Sequence, residues 1–434
     1  MIRIVTRPQA IPARMIGNAV IGVLVFLSGF VLFEPAPSDL LLCVVVAFWS
    51  FAGLSLSRPM LPMIVLMLLY MVGGLLSFSQ LDAFTRPAIY MATTAFLIIS
   101  SIFFAAVIQT DTERRFKVIE RSYIASAIVC ALLGILGYFG AIPYGEIFTL
   151  YDRAKGAFKD PNVFGPFLVL PLVVMTRAVL TDRLLNSGWR LVGIAVLLAG
   201  VFLSFSRAAW GMAIVALLIV TLLAFVSEPR QSRRLRMVAY IAGGLLAVAF
   251  LLAILLSIPE VQELFAQRFK LVQSYDGGRL GRFERHIIGF FMIQELPFGL
   301  GPFEFGKMMG EDEHNMWLKG FTAYGWIGGF SYIALVAWTL VIAVPLLFRA
   351  RPWTPFVQCL FAVYIGHLVV HNVIDNDHWR HLFLIYGLIW GAHALEWKAR
   401  RPVIAAPLPA PLVFGPVALP RARYRTVIRS CTAA

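Results

Sequence analysis

Residues 276–329 read DGGRLGRFERHIIGFFMIQELPFGLGPFEFGKMMGEDEHNMWLKGFTAYGWIGG. They form the longest polar interruption in a chain that otherwise reads as membrane. Arg279, Arg282 and Arg285 gather at the front, and His314-Asn315 stand near the end. Behind them the sequence turns apolar again. The stretch reads as a functional loop on the outer face of a membrane protein, with the rest of the chain as its socket.

Composition supports that frame. The chain is 60% hydrophobic and 14% charged, with a mean hydropathy of +0.81. Repeated apolar runs approach the length that crosses ~30 Å of hydrocarbon. Lipid leaves exposed backbone groups unsatisfied and the alternation of a barrel is absent, so the expected fold is an all-α polytopic membrane protein. Twelve spans are expected, near 16–33, 38–56, 59–77, 88–109, 120–140, 163–180, 190–205, 208–226, 237–257, 318–347, 355–373 and 380–397. The organisation is then nine helices over 1–257, a large loop over 258–317, three helices over 318–397 and a tail over 398–434. The tail is basic and rich in Pro and Ala, a composition expected to stay disordered. No small-residue cleavage site follows the first apolar run, which reads as a retained span. Cys43, Cys130, Cys359 and Cys431 have no metal or disulfide spacing.

Charge orients the spans. With the N-terminus in the cytoplasm, that side carries 24 of the 37 basic residues and 6 of the 23 acidic ones. An excess of Lys and Arg marks the cytoplasmic side. It also accounts for the net charge of +14, so no nucleic-acid partner is implied. Both termini are expected in the cytoplasm. The unusual polar clusters then fall on the outer, periplasmic face.

Each cluster has a chemical and a bland reading. Gly277-Gly278 breaks the chain, and 279–296 reads as a helix stopped by Pro297. On it Arg279, Arg282 and His286 share one stripe, beside an apolar stripe of Phe283, Ile287 and Phe290. Guanidinium forks suit a diphosphate. The same stripe also suits lipid headgroups. The Gly/Pro-rich segment 297–306 either offers N–H groups to an anion or only reverses the chain. His314, beside Glu311, Asp312 and Glu313, can take a proton from a hydroxyl, or Asn315 can simply cap a helix there. Asp160-Pro161 explains a helix start and leaves Arg153, Lys155 and Lys159 without a structural reason. Arg207, in FLSFSRAAWG, sits between two apolar runs with almost no loop; it faces a cavity or snorkels to the interface. His371, Asp375, Asp377, His378 and His381 cluster near the last outer turn, without a metal-ligand spacing, and read as hydrogen-bonded packing.

Taken together these residues resemble the O-antigen ligase and O-antigen polymerase family of bacterial membrane glycosyltransferases. The ligase pattern is His, then Asn, Ser or Gln, nine residues, Gly, two residues, and Gly, Thr or Tyr. Here it is His314, Asn315, nine residues to Tyr324, Gly325 and Gly328. An Arg…Gly…Pro-Asn segment is matched by Arg153, Gly156 and Pro161-Asn162. Ser206-Arg207 matches a Ser-Arg between spans. Arg279–Arg285 followed by Pro297-Phe298-Gly299-Leu300-Gly301 matches the start of the family's large periplasmic loop.

The resemblance implies a metal-independent transferase, with no cofactor, at the periplasmic face of the inner membrane. The donor is a glycan on undecaprenyl diphosphate. A ligase passes it to lipid A–core and a polymerase to another lipid-linked glycan. Arg207, Arg279, Arg282, Arg285 and Arg153 bind the diphosphate on this reading, Arg282 and Arg285 both fitting the family's loop position. His314 is the base or orients the acceptor; Asn315, Gly325, Asn162 and Lys155 support. The pattern at His314 leans towards a ligase, and the 371–381 cluster leaves a polymerase open. A transporter of lipid-linked glycan and a non-catalytic assembly scaffold are the alternatives from other classes; a scaffold leaves the clustered cations without a purpose. The span interiors are nearly free of Asp, Glu, Lys and Arg and no internal repeat or broken mid-membrane helix is evident, against the pattern of ion-coupled transporters.

Overall fold

The computed structural model describes residues 10–54, 56–182, 187–269 and 281–400. Among them the chain is almost wholly helical. The sixteen α-helices are α1 (Ala10–Leu27), α2 (Pro37–Ala52), α3 (Leu61–Leu76), α4 (Thr85–Val107), α5 (Thr112–Tyr138), α6 (Pro161–Thr181), α7 (Gly188–Leu203), α8 (Arg207–Ser227), α9 (Gln231–Leu256), α10 (Pro259–Arg268), α11 (Arg282–Glu295), α12 (Glu304–Met309), α13 (Met316–Thr322), α14 (Gly325–Leu346), α15 (Thr354–Val370) and α16 (Arg380–Arg400). One two-residue hairpin, β1 (Thr149–Leu150) with β2 (Arg153–Ala154), is antiparallel.

Seven described helices are long and apolar enough to cross a membrane: α3 with its flanking 3-10 turns, α4, α5, α6, α8, α9 and α14. Shorter apolar helices cover Arg14–Leu27, Pro37–Phe51, Gly188–Leu203 and Thr354–Val370. The chain is thus a helical membrane-embedded protein. Its backbone polar groups are satisfied within helices, as lipid requires.

Several expected boundaries move. The first helix ends at Leu27, and Ser28–Pro35 form turns and bends. Residues 113–119 and 231–236, outside the expected spans, are the first turns of α5 and α9. The expected helix 318–347 breaks at Ala323-Tyr324 into α13 and α14. Gly325, at φ +63°, causes the break: its backbone lies so close to the 297–298 turn that a Cβ would stand 2.7 Å from the Pro297 carbonyl oxygen. Pro297 itself ends α11 two residues upstream. The last helix runs through Lys398 to Arg400; the rest of the tail, 401–434, lies outside the described residues.

Helix α6 is central and α9 peripheral. The apolar window of α6 is 78% buried, that of α9 6%. Pairs α3–α14, α4–α16, α8–α15, α6–α7 and α6–α8 make the main contacts. The α3–α14 pair is close because of Gly73, where a Cβ would meet the Gly328 amide nitrogen at 2.5 Å; small residues let membrane helices approach this way. Trp390 of α16 is fully buried and donates to Thr339 of α14 at 2.9 Å.

Candidate functional site

Two of the sequence motifs meet at Arg153. This side chain is buried. Its Nε donates to the Ser204 carbonyl at the end of α7 (2.8 Å), and an Nη donates to Asn162 Oδ1 at the start of α6 (2.8 Å). Asp160 caps α6 by accepting from the Asn162 amide at 2.6 Å, with Pro161 as first residue. Ser206 caps α8 by accepting from the Ala209 amide. Arg207 is the first residue of α8 and half-buried. The hairpin, the Pro-Asn start and the Ser-Arg turn are therefore one unit. Arg153 holds it together from inside. Lys155 closes the hairpin through its amide, donating to the Phe148 carbonyl at 2.9 Å, and Lys159 pairs with Glu34 at 2.9 Å.

A second cluster forms where α11 meets the 310–315 segment. Arg285 is buried and pairs with Glu311. Its Nε is buried with no hydrogen-bond partner among the described residues. A buried donor left open costs free energy until an acceptor arrives. Glu311 is held below the usual carboxylate range, chiefly by its hydrogen bond to Arg285, with the charges of His314 and Arg282 adding to the effect. His286 hydrogen-bonds the Glu313 carbonyl at 2.8 Å. Burial lowers its pKa against that bond, and the Arg282 charge lowers it further. So Arg285 and His286 tie α11 to the 311–313 segment just before His314. Arg279 lies outside the described residues, and with it one end of the expected arginine stripe. Phe283, Ile287 and Phe290 are exposed along α11, the apolar stripe expected.

His314 sits in the left-handed region at φ +48°. Asn315 caps α13, accepting from the Leu318 amide at 3.0 Å. The Leu300 and Gly301 amides of the Gly/Pro-rich segment both donate to the Thr322 carbonyl (2.6 and 3.1 Å). Those two amides are spent on chain reversal and not on an anion.

No protein-family model and no curated protein matches the chain.

Sequence reasoning missed what lies behind His314. Lys319 is buried between Asp375 (3.4 Å) and Glu313 (3.7 Å). Thr322 donates to Glu313. Deeper in, Asp377 accepts from Tyr90 and from Tyr324 (3.3 Å), and Thr94 bonds both Tyr324 (3.0 Å) and His378 (2.9 Å). His371 bonds Tyr332 at 2.9 Å. In the 371–381 cluster His371, Asp375, Asp377 and His378 make hydrogen bonds, whereas His371 Nδ1, the Asn376 amide group and His381 Nε2 are buried with no hydrogen-bond partner among the described residues. Arg380, within the same stretch, pairs with Asp39 (2.7 Å) and Glu34 (3.3 Å). This last turn thus ties the 34–39 turn and Lys159 to the His314 segment. The one available signal was Lys319, a lone cation inside an apolar run; nothing marks the tyrosines, which read as ordinary core.

Beside Asn315 a cleft of about 710 Å³ opens between α11, α13 and α14. Phe290, Trp317, Phe321, Trp326 and Phe330 line it, with His286 and Asn315 supplying polar groups.

Proposed function

We propose that the chain is a multi-pass glycosyltransferase of the bacterial inner membrane, of O-antigen ligase type. It moves a glycan from undecaprenyl diphosphate to lipid A–core. The proposed topology has twelve spans, both termini in the cytoplasm, and the 258–317 loop in the periplasm. The observation that carries this reading is the joining of α11 to the segment just before His314, Arg285 to Glu311 and His286 to the Glu313 carbonyl, beside an aromatic cleft. A lipid-linked diphosphate needs fixed cations for its head and apolar surface for its chain, and a hydroxyl acceptor needs a base near those cations.

In this reading the acceptor hydroxyl gives its proton to His314 as its oxygen bonds to the anomeric carbon. The bond from that carbon to the diphosphate oxygen breaks, and the electron pair leaves with the diphosphate. Arg282 and Arg285 meet the growing charge. Arg207 contributes from the start of α8, where the helix dipole also favours an anion. Arg153, whose Nε and one Nη serve the protein itself, supports that turn from behind. Asn162 belongs to the same support.

The test uses purified protein in detergent, undecaprenyl-diphosphate glycan and lipid A–core, with His314→Ala and Arg207→Ala beside the wild type. Transfer to the core is expected, falling by ~10²-fold or more in the histidine variant. Lengthening of the lipid-linked glycan without transfer to the core would make the protein a polymerase. Donor binding with no transfer to either acceptor would sink the transferase reading and favour transport.

A further inference from the structure

We propose that Asp375, from the turn after α15, is the positioning residue for His314. Its Oδ2 accepts from the His314 amide (3.2 Å) and its Oδ1 from the Asn315 amide (3.0 Å). One carboxylate therefore spans two consecutive N–H groups, 61 and 60 residues away in the chain. The next amide, Met316, donates to the His371 carbonyl at 2.7 Å. The Asn315 side chain reaches the Asn372 carbonyl at 3.5 Å. Three successive amides of the His314 segment are thus taken by a single turn.

The conformation held there is one that a side chain with a Cβ seldom adopts unaided: His314 stands at φ +48°. Strained residues of this kind persist where their surroundings over-determine them. Asp375 supplies that constraint and is itself fixed. Lys319 lies 3.4 Å from its Oδ2, and the Asp375 side chain is 12% exposed. The carboxylate faces the backbone of His314, and no hydrogen bond joins it to the imidazole among the described residues. Asp375 therefore acts by geometry, setting where the ring points, and not as the carboxylate partner of a His–Asp dyad. Lys319 neutralises the carboxylate and keeps it aimed at the amides.

This inference rests on His314 being the residue that meets the acceptor hydroxyl, so its test has one arm independent of transfer. Full-length wild type, Asp375→Ala and Asp375→Asn are compared in detergent. Hydrogen exchange is followed by mass spectrometry over 311–319. Alanine should speed exchange of the 314–316 amides about tenfold while the other helices keep their protection. Asparagine, which retains one acceptor oxygen, should give an intermediate rate. In the transfer assay alanine should lower kcat by about 100-fold, the scale of an ångström-sized misplacement, with the donor KM within about twofold of wild type. Asparagine should recover part of kcat. Unchanged exchange at 314–316 in both variants would overturn the proposal. So would faster exchange with kcat intact, since His314 would then not need the clamp. If alanine loosens the whole bundle, the asparagine variant decides by the same two readings. If wild type transfers no glycan, the proposed function fails, and the exchange arm still decides whether Asp375 holds the turn.

Discussion

At the residue scale, the chemistry lies in how single charges are shared. Lys319 faces two carboxylates with one ammonium. Asp375 is the nearer, at 3.4 Å against 3.7 Å for Glu313. Glu313 is thus the group of the three that takes up a proton. Burial pushes its carboxyl up, to about 7; the Lys319 ammonium works against this and the Asp375 charge adds to it. An unfolded Glu titrates near ~4.3. The folded state then binds the proton more tightly than the unfolded one. Wild-type stability should fall as pH rises from the unfolded value through about 7, with the full cost present above that. Glu313→Gln imitates the protonated form. It is expected to melt above wild type at pH 8, and the gap should close towards pH 4. A gap of equal size at both pH values in thermal unfolding would refute the assignment. Arg153 shows the same economy from the other side: a cation expected to meet a ligand uses its Nε and an Nη to join three segments of its own chain.

At the element scale, helix ends decide the layout. Asp160, Ser206 and Asn315 each cap a helix with a side-chain oxygen, and the caps at Asp160 and Asn315 were legible as short polar residues ahead of apolar runs. The break between α13 and α14 was not, because apolar character continues across it. It depends on the 297–298 turn arriving from elsewhere. Gly325→Ala would drive a Cβ to 2.7 Å from the Pro297 carbonyl oxygen at a positive φ. A loss of ~2 kcal/mol or more is expected, by the mechanisms that give large single-site effects. Gly243→Ala, in α9 with nothing within 4 Å, should be neutral or gain up to ~1 kcal/mol from helix propensity. Melting temperatures of the two variants in one detergent compare them directly. Equal losses would mean that Gly325 does not need its missing side chain.

At the scale of the whole molecule, α5 supplies a test of orientation. Glu113 and Tyr151 are both exposed. Glu113 opens α5, and Tyr151 lies in the turn of the hairpin that follows the helix. In the proposed topology they stand on opposite sides of the membrane. In a cysteine-free background, Tyr151→Cys should react with an impermeant maleimide applied from the periplasmic side. Glu113→Cys should react only once the inner membrane is opened. The reverse pattern would invert the topology and remove the 258–317 loop from the periplasm. The same architecture explains why α6 tolerates Pro166 and Pro171 inside it: at the centre of the bundle, neighbouring helices can satisfy freed backbone groups that lipid leaves exposed.

What the sequence determined by itself is local. Hydropathy required membrane helices, since only helices or closed barrels satisfy the backbone in lipid. Asp160, Asn315 and Pro297 placed the ends of α6, α13 and α11. The resemblance to a family's motifs singled out Arg153, Asn162, Arg207, Arg282, Arg285 and His314. Tertiary structure alone decided how they are used. It turned Arg153 inward, divided the helix at Gly325, tied Arg285 and His286 of α11 to the 311–313 segment, and brought Asp375 to the His314 amides. Each of these depends on partners tens of residues away in the chain. A hydrogen bond between Asp375 and His314 leaves no periodicity and no composition bias, because its energy depends on the distance between atoms and not on their separation along the sequence.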